Sequence, residues 1–162
     1  MRYIYCMLVL ITSITCHGAE LDQARDHIRA MEYTQALREI QAYLVTHPQD
    51  VEARLLLART YAWDNQYAKA EQEYDELLQL ENDNSEYLFG KAQALLWQNK
   101  HEAAIPLLES VIRLIPEQAE AWQLLILALQ QSNKQADRQR ALQVIEQARA
   151  RFPKMNWDGL AN

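Results

Sequence analysis

Apolar and small residues recur at helical spacing along most of the chain, and the pattern breaks at regular intervals. Within 51–84, Ala53, Leu57, Ala58 and Tyr61 form one stripe. Asn65-Gln66-Tyr67 interrupts it, and Ala70, Tyr74 and Leu77 form a second. Spacings of three and four predict two amphipathic helices joined by a tight turn. A step of 34 residues carries Trp63 to Trp97, Asn65 to Asn99, Tyr67 to His101 and Ala70 to Ala104. The same step carries Tyr74 to Leu108, Leu77 to Val111 and Asn82 to Pro116. One step back reaches Tyr33, Ala36 and Pro48. A fourth unit over 119–153 opens with Ala121-Trp122 and Leu125. Its second half aligns only after three extra residues, at Ala141, Ile145, Ala148 and Pro153. The polar stretch 132–138 is the expected loop for that insertion. Helices are therefore expected over 20–30, 33–46, 51–64, 67–80, 85–98, 101–114, 119–131 and 138–151. The segment 154–162, with Trp157 and Leu160, reads as a cap on the last helix or the start of a further unit.

The pattern resembles the tetratricopeptide repeat, a helix–turn–helix unit of the same period. The second unit shows Arg54, Leu57, Ala58, Tyr61, Ala70, Tyr74, Leu77 and Asn82 at the family's marked positions. The third shows Leu88, Lys91, Ala92, Leu95, Ala104, Leu108, Val111 and Pro116. Lys91 departs from the family's leucine, and Asn82 from its closing proline. The resemblance covers about 20–153, in units of about 20–50, 51–84, 85–118 and 119–153. It implies an all-α, right-handed α-solenoid of about four repeats over 19–153. Packing arguments agree with it. Ala58, Ala70, Ala92 and Ala104 let paired helices approach closely, and stacking buries apolar faces that one unit cannot bury alone. Pro48, Pro116 and Pro153 fall just past helix ends. Pro106 is expected in a first turn, where a missing N–H is tolerated.

The first residues read differently. Met1-Arg2 supplies a positive charge, Tyr3 to Thr15 is uncharged and mostly apolar, and Cys16-His17-Gly18-Ala19 follows. This is the plan of a secretory signal peptide over 1–18, cleaved after Gly18, with Ala19 a poorer site. Cys6 and Cys16 both lie in that segment, so the mature chain would hold no thiol. Lipidation of Cys16 is the competing expectation, although Ser13 is a poor match to the residue such anchors require. Composition narrows the class further. The chain has 162 residues, 49% hydrophobic and 23% charged, with 3 Gly and 4 Pro, which excludes a disordered or turn-rich β protein. A net charge of −6 argues against a nucleic-acid partner, which needs a basic face.

Chemistry-bearing motifs are missing from the sequence. His27, His47 and His101 show no metal-ligand spacing, and there is no nucleophile elbow, phosphate loop or Cys–His pair. No catalysis, cofactor, metal or small-molecule substrate is expected. In the resembled family the first helices of the repeats line an inner groove. That register names Arg25, Arg29, Leu55, Arg59, Trp63, Phe89, Gln93, Trp97 and Gln123 as partner-binding candidates. Arg and Trp combine area with directed hydrogen bonds and suit an extended peptide or a helix. Trp63 and Trp97 read equally well as plugs between helices. The carboxylate clamp of chaperone-binding relatives is not reproduced, since Leu21, Leu55, Phe89, Arg25 and Arg59 stand at its positions and arginine alone does not restore it. Charge is uneven, with seven acidic residues over 71–86 and six basic against two acidic over 134–154. That asymmetry suggests a bipolar partner surface or end-to-end self-association, against the plainer reading of solvated helix faces. The run Ala58-Arg59-Thr60-Tyr61-Ala62-Trp63 is similar to repeats of bacterial envelope and exopolysaccharide-export proteins. The resemblance implies a periplasmic interaction scaffold for an outer-membrane or export component. The alternative is a structural subunit that stacks end to end or pads a larger envelope complex.

Overall fold

The computed structural model describes residues 21–157 and 159. The expected signal segment, both cysteines and Leu160 lie outside the described residues. Among the described residues every helix of two turns or more is α-helical. These are α1, described over 21–29, α2 (Tyr33–Thr46), α3 (Val51–Trp63), α4 (Tyr67–Leu80), α5 (Ser85–Trp97), α6 (His101–Leu114), α7 (Ala119–Gln131) and α8 (Gln135–Arg151). They fall into two compact units, the first ending at Gln66 and the second beginning at Tyr67.

Three of the connections use one turn. Met31, Asn65 and Asn99 sit at φ 60°, 59° and 59°. In each, the next residue donates its N–H five residues back, from Glu32 to His27, Gln66 to Tyr61 and Lys100 to Leu95. That satisfies carbonyls left over at the helix end. Asparagine tolerates the left-handed conformation, so the turns need little glycine. The starts of α3 and α5 are capped by side chains. Asp50 accepts from the Ala53 N–H, and Asn84 accepts from the N–H groups of Glu86 and Tyr87.

In the first unit α2 packs on α3. Ala36, Ile40, Ala53 and Ala58 are fully buried there, beside Leu37, Tyr43, Leu57 and Tyr61. In the second unit each helix packs on the next, and α5 also touches α7. Its main core joins Ala92, Leu95, Ala104, Leu108, Leu125, Ile126, Leu129, Ile145 and Trp157. The buried alanines allow close helix approach, and burial of the large side chains supplies the driving force. Trp157 is 2% exposed and donates its indole N–H to the Phe152 carbonyl.

Two local expectations are corrected. The extra residues of the fourth unit do not lengthen the loop, because α8 starts at Gln135 and runs for 17 residues against 14 in α4 and α6. The connection of Ser132, Asn133 and Lys134 is held by side chains instead of a left-handed turn. Ser132 donates to Asp137, and Glu102 accepts the Asn133 N–H. Gln-Ala-Asp then adds about one turn, as residues without β-branching readily do. Pro106 is also not in a first turn. It is the sixth residue of α6 and removes the N–H that would reach the Glu102 carbonyl. Its exposed position leaves that face open to water.

Candidate functional site

Repeat register places the expected groove residues on α1 and α3 in the first unit, and on α5 and α7 in the second. In the first unit the arginines are already engaged. Arg25 donates to Asp22 at 2.9 Å and to Glu52 on α3 at 2.5 Å. Arg29 is paired with Asp26, one turn before it. Arg25 thus joins α1 to α3, which sequence reading had not anticipated. Leu55 and Arg59 are half-buried on α3. Trp63 is 47% exposed, and its ring lies 6.5 Å from that of Tyr33, tilted by 31°.

The same aromatic pair recurs in the second unit, one repeat on. Tyr67, the first residue of α4, stacks on Trp97, the last of α5, at 5.8 Å and 9°. Stacking fixes the indole, yet Trp97 remains 69% exposed. These tryptophans are therefore neither core plugs nor free side chains, since each packs on a tyrosine and keeps a broad open surface.

Gln93 and Trp97 border a cavity of about 400 Å³ between α5 and α7. Leu96, Leu124 and Leu127 give it an apolar lining, and Glu120 brings a carboxylate. Asn99 and His101 complete the wall from the turn and the start of α6. The Gln93 amide donates to Glu120 across 3.4 Å. Phe89 and Gln123 do not line this cavity, and Phe89 instead packs against the core. Of its lining residues only Gln93 and Trp97 were among the partner-binding candidates. Leu124 follows the candidate Gln123, and its register position holds Leu56 and Gly90 in the earlier repeats, so the repeat pattern carried no signal for it.

Electrostatics around the cavity is one-sided. Glu120 is the single charged residue of α7. The lysine of α5, Lys91, is bound by Asp75 of α4, and Lys100 is bound by Glu71. Burial works to raise the Glu71 carboxyl, but hydrogen bonds from Lys100 and Gln98 outweigh it and hold the group below its ordinary range. The basic stretch over 134–154 is likewise taken up locally, with Arg140 on Glu109, Arg149 on Glu146 and Arg151 on Glu117. Among the described residues no group of three His, Cys, Asp or Glu side chains is arranged to hold a metal. No helix among them is long and apolar enough to cross a membrane. The site offers apolar area, shape and a carboxylate.

Comparison with known proteins agrees with the repeat architecture. The tetratricopeptide-repeat family model matches residues 23–96 and 64–128, well over half of the chain. No curated protein matches. Among solved structures, MamA 41-end from Desulfovibrio magneticus RS-1 aligns with a TM-score of 0.76 at 21% identity, covering 86% of this chain and 77% of that one. The MamA RS-1 ArsTM double mutant gives 0.77 at 21%, over 86% and 76%. A further MamA structure, AMB-1, gives 0.74 at 16%, over 90% and 77%. At these identities the likeness is one of fold. With a matching family model, a fixed period and helix pairs in register, the chain belongs to the tetratricopeptide-repeat family.

Proposed function

We propose that the chain is a protein-interaction scaffold that holds a peptide or helix of a partner on the inward faces of its first helices. The observation that carries this reading is the cavity between α5 and α7, with its apolar lining and an indole left 69% exposed. A large aromatic surface held open by stacking is a typical anchor for a partner. The partner acts outside the cytoplasm, in the bacterial periplasm. Support for this comes from the leader-like composition of residues 1–18 and from the similarity of 58–63 to envelope-protein repeats. An intact mass of the protein purified from its native host tests the export reading. It should show loss of the leader, and a mass retaining it would contradict export.

The binding reading is tested by selecting short random displayed peptides on the full chain. Selected peptides should lose binding to a variant carrying Trp97→Ala and Leu127→Lys, both exposed positions, while far-UV circular dichroism stays unchanged. Failure to select any peptide, or full retention of binding by the variant, would contradict the reading.

A further inference from the structure

We infer that the cavity between α5 and α7 takes one bulky apolar side chain from a peptide segment that carries lysine or arginine beside it. The inference rests on the scaffold reading above and specifies the chemistry of the partner. Three leucines, Leu96, Leu124 and Leu127, line the cavity, so its main payload is apolar. Its volume of about 400 Å³ has room for an aromatic or large aliphatic side chain with some backbone.

Two features at its edge call for a cation. Glu120 meets only the Gln93 amide, at 3.4 Å, and has no ion-pair partner among the described residues. The Trp97 indole, backed by Tyr67, turns an open π-face toward solvent. A guanidinium or ammonium is attracted by both, and a carboxylate by neither. The lysines nearest in sequence do not compete, because Lys91 and Lys100 are held by Asp75 and Glu71. Charge complementarity therefore selects a basic segment, while the leucines select an apolar anchor. The Gln93 and Asn99 amides stand beside the cavity to meet peptide backbone.

The experiment is fluorescence polarisation of three labelled synthetic peptides against the full chain. One places a phenylalanine among lysines, one the same phenylalanine among glutamates, and one a serine among the same lysines. The first should bind about tenfold or more tighter than either of the others. In Glu120→Lys, a change at an exposed position, the preference between the lysine and glutamate peptides should reverse. Equal binding of all three, no binding of the first, or an unchanged order in Glu120→Lys would overturn the inference. If random selection yields binders and the basic–apolar peptide is not preferred, this inference falls and the scaffold reading stands. If random selection yields none, the scaffold reading itself falls.

Discussion

Met31, Asn65 and Asn99 hold the same left-handed backbone at the same point of three repeats. Asparagine adopts it at little cost, but an unbranched apolar residue strains against the following carbonyl, by about 1–2 kcal/mol. Met31 is also 75% exposed, so its side chain returns little by packing. Met31→Asn should therefore raise stability by about 1 kcal/mol, seen as a higher melting temperature. An unchanged or lower one would show that the turn carries no such strain. Asp50 makes a second residue-scale case. Burial tends to raise its carboxyl, but hydrogen bonds from the Ala53 N–H and the Tyr43 hydroxyl outweigh it and hold it below its ordinary 3.8. A carboxylate depressed in the folded state stabilises fully above its unfolded value and loses that contribution as pH falls through the folded one. Asp50→Ala should cost about 1–2 kcal/mol at neutral pH. Its deficit against the native chain should shrink in denaturation curves taken below pH 3.8, and a constant deficit would exclude the charged cap.

Between elements, the pair Tyr74 and Gly90 shows how one repeat joins the next in the second unit. A β-carbon on Gly90 would overlap the ring of Tyr74, which is itself buried. The equivalent pair one repeat later is Leu108 and Leu124, two side chains of middling size. Helix propensity alone favours Gly90→Ala by about 1 kcal/mol. The buried phenol cannot swing away, so overpacking should win and the variant should lose about 1–3 kcal/mol. Tyr74→Leu in the same chain should recover much of that loss in a double-mutant cycle, and additive effects would refute the coupling. The helices themselves were legible in the sequence because small and large apolar residues recur with a fixed period. The start of α8 was not, since Gln135, Ala136 and Asp137 carry no apolar stripe to separate helix from loop. Pro106 was misplaced for a related reason. Proline usually marks a helix boundary, and the exposed face of α6 accommodates it in the interior.

At the scale of the molecule, the sequence placed Gln93 and Trp97 beside each other through repeat register, and the cavity joins them with Leu124, Glu120 and Leu127. Register alone could not show that Arg25 is consumed by Glu52, because that contact spans 27 residues. Nor could it show that Trp97 is braced by Tyr67 from 30 residues before. Such pairings depend on how helices meet, which a periodic pattern leaves open. The four tryptophans now provide a direct test of the inner-face claim. The indole N–H groups of Trp122 and Trp157 are tied to the Pro116 and Phe152 carbonyls. Trp63 and Trp97 keep broad open surfaces. The decisive measurement is a proton–nitrogen correlation spectrum of the four indole signals while a selected peptide is titrated in. The Trp97 signal should move with saturation, while those of Trp122 and Trp157 stay in place. Saturable binding that leaves Trp97 unmoved would contradict the account.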